Sequence, residues 1–288
     1  MKIITKNFKS TSGNITVHAI QTGQLAVKKS VLLSKNPGVL STLKSFWDKE
    51  FGALIPVWCW LIEHPEGLFL IDTGLSAEIK KHNYFKDLNF ISKYYFEKQM
   101  QFEITEQEEI HQQLHKIGIN NTSIDTIILT HLHIDHTGGL KHFPNTPILV
   151  NEREWKTKDS SFPKLFPPNC NFVTIRLEDT YENFNKTSYL TKAKDLIMVA
   201  TEGHTRGHSS IILKLNDQKL LFFAGDLIYN QDRLIDNTFS ATIKSHKKSI
   251  ETRNQILELA QHKSVIFLPS HDIESGKRLI EELELKKD

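Results

Sequence analysis

The chain of 288 residues carries 36 basic and 34 acidic side chains, a formal net charge of +2. That balance gives no electrostatic case for nucleic acid or a membrane surface, and 39% hydrophobic with 24% charged residues is the composition of a globular protein with a real core. Two cysteines, Cys59 and Cys170, exclude a disulfide scaffold, and neither a signal-peptide segment nor a bilayer-length apolar run is present, so a cytoplasmic chain forming one domain over residues 1–288 is expected.

In chain order, short apolar runs separated by turn residues predict strands: "NITVHAI", "PVWCWLI", "GLFLIDTG", "SIDTIILT", "TPILVN", "DLIMVA", "SSIILKL", "KLLFFAGD" and "SVIFLPSHD". Their length and their Val, Ile and Phe content favour strand over helix. Helix-like stretches lie between them: "TEQEEIHQQLHKIG", "KSIETRNQILELAQH" and the segment from Glu274 onward. Thr105 and Glu108, three apart, read as a capping box opening the first.

Four strands run straight into residues that can bind metal. "TIILT" leads into His131, "MVATEG" into His204, "LLFFAG" into Asp226 and "VIFLPS" into His271. In layered α/β proteins the C-terminal strand edge delivers site residues, so these four converge on one cavity. The densest stretch is "LTHLHIDHTGGL", Leu129 to Leu140. His131 and His133, one residue apart, share a side of an extended segment. Asp135 and His136 follow, then two glycines that let the backbone turn sharply and approach the site closely. Imidazole with carboxylate suits zinc, and also iron, manganese or cobalt. Seven candidates exceed what one zinc ion takes, which points to two metals.

"HLHIDH" resembles the HxHxDH signature of the metallo-β-lactamase superfamily, and "TEGHTRGHSS", "FFAGD" and "LPSHD" continue its pattern from about Pro56 to about Glu274. The resemblance implies the α/β fold of that family, an αβ/βα four-layer sandwich of two facing sheets with helices outside. It further implies two divalent ions per chain, zinc by preference with iron, manganese or cobalt as alternatives. His131, His133 and His204 would hold one, Asp135, His136 and His271 the other, and Asp226 would bridge both. A water between the ions would ionise near neutral pH and attack as hydroxide, since zinc alone brings bound water to a pKa of about 7.

Branches of the superfamily separate on particular residues. Neither cysteine lies in a ligand motif, unlike the antibiotic-hydrolysing lactamases; His133 stands where flavodiiron proteins carry glutamate; and the chain after His271 has room for about one helix, not the helical domain of glyoxalase II. What remains resembles the N-acyl homoserine lactone lactonases. "PVWCWLIEHPEGLFLIDTG" resembles their "YLIEHP.G..L.DTG", "SHDIE" their "GHDIE", and "VNEREW" its counterpart. Tyr229, three residues after Asp226, falls where they carry a substrate-contacting tyrosine. The chain departs at "EGHTRGH", where "PGHTPGH" is commoner, and at the unusual segment "LKSFWDKEFGAL".

The function this implies is ring opening of an acyl lactone, a small-molecule partner, with a homodimer by analogy. Asp135 is the candidate for carrying a proton to the departing ring oxygen, Asp72 for steadying a ligand histidine, and His208 for a supporting role rather than ligation. "FWDKEF" and "YYFEKQM" could line an acyl groove, although aromatic residues so spaced are more often core. The alternatives are a dinuclear hydrolase of another ester, a thioester or a phosphodiester, and a non-catalytic metal-binding sensor.

Overall fold

The stretch Pro56–Ile62 is apolar at every position because both of its faces are covered. Trp58, Trp60 and Ile62 point to one side and Cys59 and Leu61 to the other, all buried. In the computed structural model, which describes residues 2–32, 47–159, 161–240 and 243–285, it lies within a strand between two layers of packing.

The first sheet contains β1 (Ile3–Ser10), β2 (Gly13–Val27), β3 (Ile55–His64), β4 (Gly67–Ile71), β5 (Met100–Glu103), β6 (Thr126–Ile128), β7 (Pro147–Asn151) and β8 (Asn171–Ile175). Their order is β1-β2-β3-β4-β6-β7-β8, with β5 paired to β2. The second contains β9 (Asp179–Tyr181), β10 (Phe184–Tyr189), β11 (Leu196–Ala200), β12 (Ser209–Lys214), β13 (Lys219–Gly225) and β14 (Ser264–Pro269), in the order β14-β13-β12-β11-β10-β9. Helices are α1 (Lys29–Leu32), α2 (Phe90–Gln99), α3 (Ile110–Lys116), α4 (Ile134–Thr137), α5 (Glu152–Thr157), α6 (Gln231–Ile235), α7 (His246–His262) and α8 (Ser275–Glu281).

Three apolar layers follow from strand alternation. Between the sheets, Val17, Trp58, Trp60 and Ile71 meet Met198, Ile211, Phe223 and Ile266, with the Trp60 and Phe223 rings 5.2 Å apart. Outside the first sheet, Leu61, Leu70 and Ile127 pack on Ile110 and Leu114 of α3. Outside the second, Ile212, Phe222 and Phe267 pack on Ile256, Leu259 and Ala260 of α7. Each fully buried side chain of this size contributes about 1.5–3 kcal/mol. The result is the expected α/β sandwich, with sheets inside and helices outside.

All nine predicted strands form, some shortened. β6 covers only the middle of "SIDTIILT", because Asn121–Ser123 makes a helical turn and the Thr130 N–H turns aside to Asp72. The capping box at Thr105 is present, with Thr105 N–H donating to Glu108 Oε2 at 2.6 Å. The helix nevertheless breaks at Glu109, whose backbone is extended (φ −61°, ψ 148°), before α3 begins. α7 spans its predicted segment, capped by Ser245, whose side chain accepts from Lys248 N.

Parallel pairing of β4, β6 and β7, and of β13 with β14, brings the ends of those strands to one side. Among the described residues no helix is long and apolar enough to cross a membrane. Residues 43–46 of the unusual segment "LKSFWDKEFGAL" lie outside the described residues. Beyond them Trp47 is 78% exposed, and Phe51 lies under the Lys28 ammonium at 3.5 Å.

Candidate metal centre

Asp72 follows β4 with φ 58°, a left-handed conformation rarely taken by residues with a side chain. That turn aims its carboxylate at the chain leaving β6. Oδ1 accepts the Thr130 N–H and Oδ2 the Thr130 hydroxyl, both at 2.9 Å, and Oδ2 also receives His136 Nδ1–H at 2.7 Å. The partner on Nδ1 leaves His136 Nε2 pointing inward, the usual way a carboxylate orients a metal-binding imidazole.

Backbone carbonyls aim two of the other imidazoles. His271 Nδ1–H donates to Pro56 O at 2.9 Å, turning Nε2 toward Asp226 Oδ2 at 3.1 Å and Asp135 Oδ2 at 3.3 Å. His133 Nε2–H donates to Asp159 O at 3.2 Å, turning Nδ1 toward His204 Nε2 at 3.0 Å. His131 is fully buried, its Nε2 3.9 Å from Asp226 Oδ2.

All seven sequence candidates therefore come together, in two groups that share one residue. His131, His133, His204 and Asp226 offer ligand atoms within 4.8 Å of one another, and so do Asp135, His136, Asp226 and His271. A divalent-ion fit is supported by atoms left without partners. His131 Nε2, His136 Nε2 and Asp226 Oδ1 are buried with no hydrogen-bond partner, although His136 Nε2 and Asp226 Oδ1 stand only 3.1 Å apart. Buried polar atoms this close and misaligned for hydrogen bonding are aimed at a common third centre.

Electrostatics divide the groups. Burial, reinforced by the neighbouring rings, holds His131 and His204 well below the ordinary histidine range, and burial lowers His133 as well. In the other group burial opposes charge but loses. Asp226, Asp72 and Asp135 carry His136 well above that range, and Asp226 with Asp135 raises His271 to about 10. The same contacts lower Asp226 and Asp135 against the opposing effect of their burial.

His208 is not in either group. Its Nε2 accepts the Asp226 N–H at 3.1 Å, and its other nitrogen faces Thr201 O at 3.1 Å. Burial lowers its pKa to about 3, so the ring stays a neutral acceptor that fixes the Asp226 backbone. Tyr229 sets its ring 5.4 Å from that of His271 and hydrogen-bonds Ser240; burial drives its pKa up, so it remains a phenol. The two glycines after His136 meet one half of the sequence expectation, close backbone approach, and not the other. Gly138 has φ −62° and Gly139 φ −84°, ordinary values, so sharp turning is not their purpose. A Cβ on Gly138 would meet Ser76 N at 2.5 Å and one on Gly139 would meet Thr73 O at 2.4 Å, so close packing demands them.

Sequence reasoning passed over Glu154, within "VNEREW". It is fully buried behind the centre and accepts from Leu132 N at 3.1 Å and from the Thr205 hydroxyl at 2.6 Å, tying together the two loops that carry His131, His133 and His204. Burial raises its pKa to about 7, despite those hydrogen bonds. The "EGHTRGH" departure also acquires a reason. Arg206 N–H donates to Asp159 Oδ2 at 2.8 Å, a bond that proline lacks the hydrogen to make, and Glu202 pairs with Arg153 at 2.6 Å and Lys186 at 3.2 Å. Of the aromatic segment "YYFEKQM", Phe96 packs in an apolar cluster with Phe85, Phe162 and Ile134.

A family model of the metallo-beta-lactamase superfamily matches residues 52–271. The N-acyl homoserine lactonase of Bacillus cereus is 28% identical over 226 residues, covering 77% of this chain and 84% of that protein. The N-acyl homoserine lactonase AiiA of Bacillus thuringiensis subsp. kurstaki is 26% identical with the same coverage. A solved structure of an N-acyl homoserine lactone hydrolase, with the product N-hexanoyl-L-homoserine at its catalytic metal centre, is similar at a TM-score of 0.72 and 22% identity over 96% of each chain. The lactonase motifs and these curated relatives point to the same branch. With the family match spanning most of its length and the sandwich in place, the chain belongs to the metallo-β-lactamase superfamily.

Proposed function

We propose that the protein hydrolyses the lactone ring of N-acyl homoserine lactones at a centre of two divalent ions, zinc by preference. The observation carrying the reading is the pair of four-residue groups sharing Asp226, with three buried ligand atoms unpartnered in their midst. His131, His133 and His204 would hold one ion, Asp135, His136 and His271 the other, and the two oxygens of Asp226 would reach both. Ions so held would supply a water ionised to hydroxide, the nucleophile of the sequence expectation, and a Lewis acid for the carbonyl.

The protein's own side chains do the rest. Tyr229, kept protonated, donates a hydrogen bond to a substrate carbonyl oxygen. Asp135 carries the one proton left on the attacking hydroxide to the ring oxygen as the carbon–oxygen bond breaks, so the product is one carboxylate-bearing chain with a free hydroxyl. Ile134 adjoins Asp135 in sequence and packs in the buried apolar cluster of Phe85, Phe96 and Phe162, which backs the loop carrying that carboxylate. The lactonase relatives support the choice of substrate.

The test is ring opening of a medium-chain N-acyl homoserine lactone by zinc-loaded protein, read by mass spectrometry as the addition of one water. Opening is expected for the wild type and should be lost in His133→Ala. A wild type that binds two ions per chain yet leaves the ring closed would refute the lactone reading; thioesters and phosphodiesters are the substrates to try in that event.

A further inference from the structure

The break in the helix at Glu109 turns its carboxylate inward. Its side chain is 4% exposed, and Oε1 accepts the Ala77 N–H at 2.7 Å and faces Lys141 Nζ at 3.1 Å. Oε2 contacts His142 Nε2 and lies 3.8 Å from His111 Nδ1, beyond hydrogen-bond reach. That Nδ1 is shut off from solvent and has no hydrogen-bond partner. The rings of His111 and His142 are stacked with centroids 3.6 Å apart, and His115, one turn further along α3, has its ring 6.4 Å from His111.

We propose that Glu109, His111 and His142 hold a further divalent transition-metal ion, of the zinc type, outside the Asp226 centre. One ligand atom from each lies within 4.8 Å of the others. Two imidazoles with a carboxylate form a zinc-type donor set, whose bonds run to about 2.0–2.2 Å. Stacked rings cannot both point their nitrogens at one ion, so binding swings one ring out of the stack. His111, at the start of α3, and His142 are each 20% exposed, so either ring has solvent on one side. His115 stands four residues along the same helix face, close enough to become the fourth donor. Lys141 does not compete for the same atom. It sits on Oε1 and is itself 3.7 Å from Glu78 Oε2, leaving Oε2 for the ion.

The place in the fold gives the ion a structural task. His142 closes the turn Leu140–His142, which follows the His131–Gly139 loop, while Glu109 also holds Ala77, just beyond the Asp72 turn. An ion here would pin α3 to both segments that frame the Asp226 centre without touching substrate.

Zinc-loaded wild type, His111→Gln and His142→Gln are desalted and assayed for zinc per chain by atomic emission, with hydrolysis measured in parallel. The wild type should retain one ion more than either variant, and hydrolysis should be unchanged. Because the readout is a difference between chains, another total at the Asp226 centre, or failure of the lactonase reading, leaves it intact. Equal zinc in wild type and His111→Gln overturns the proposal. Should His142→Gln fail to fold, the part-exposed His111→Gln decides alone.

Discussion

Both ends of the sandwich bury histidine against aspartate, and they resolve the arrangement in opposite ways. At the end away from the predicted ligands, His64 closes β3 and Asp195 precedes β11, linking the two sheets. His64 Nε2 meets Asp195 Oδ2 at 3.0 Å, its Nδ1 accepts the Glu66 N–H at 3.0 Å, and Asp195 Oδ1 accepts the Thr191 hydroxyl at 2.7 Å. Every polar atom of that pair has a partner. At the Asp226 end, equally buried atoms of His131, His136 and Asp226 have none. A buried histidine–aspartate contact therefore says little by itself. The unfilled valence distinguishes a joint between sheets from a socket for an ion.

Substitutions at each end test that distinction. Asp226→Asn removes charge from both ligand groups, so bound metal should fall and hydrolysis should drop by more than about a hundredfold, exceeding the loss of an outer partner; near-normal turnover would break the comparison. Asp72→Asn keeps the shape but weakens the hold on His136 Nδ1, and a loss of about 10–100-fold in metal affinity or activity is expected from a metal titration. Asp195→Asn, at the joint, should leave turnover per folded molecule unchanged and cost about 1–3 kcal/mol in denaturant unfolding. Its pH signature has a definite sign. Burial works against the Asp195 charge, but hydrogen bonds from His64, Ser12 and Thr191 prevail and hold its pKa below the ordinary carboxylate value. The stability it contributes is thus complete above the unfolded-state pKa and is lost as pH falls toward the folded one. The variant should show a flatter acid limb of stability against pH.

The Asp226 end was legible because its information is local. Three histidines and an aspartate stand within six residues, and the remaining candidates sit where apolar runs stop, a position that strand geometry turns into proximity. Asp72 was legible for the same reason, at the end of "GLFLI". Glu154, by contrast, gains its place through contacts to Leu132 and Thr205 that no spacing in the chain announces. The break at Glu109 was hidden as well. A capping box followed by helix formers reads as one continuous helix, and only the tertiary contacts to Ala77, Lys141 and His142 turn that carboxylate inward. β1, β8, β9 and β10 carry too many polar residues for their pattern to stand out, being edge or solvent-facing strands whose pairing is set by their neighbours.

The tight seat of Gly138 and Gly139 against the Asp72–Ser76 backbone bears on how such a protein can be diversified. A mutant library spread evenly over the chain would waste much of its diversity there, since any side chain pushes the loop bearing Asp135 and His136 off its bed. Phe90 and Ile91, 82% and 70% exposed at the start of α2, meet no such wall. Randomisation confined to those exposed positions, with the glycine pair held constant, would vary the surface of the molecule while the chemical centre is inherited whole.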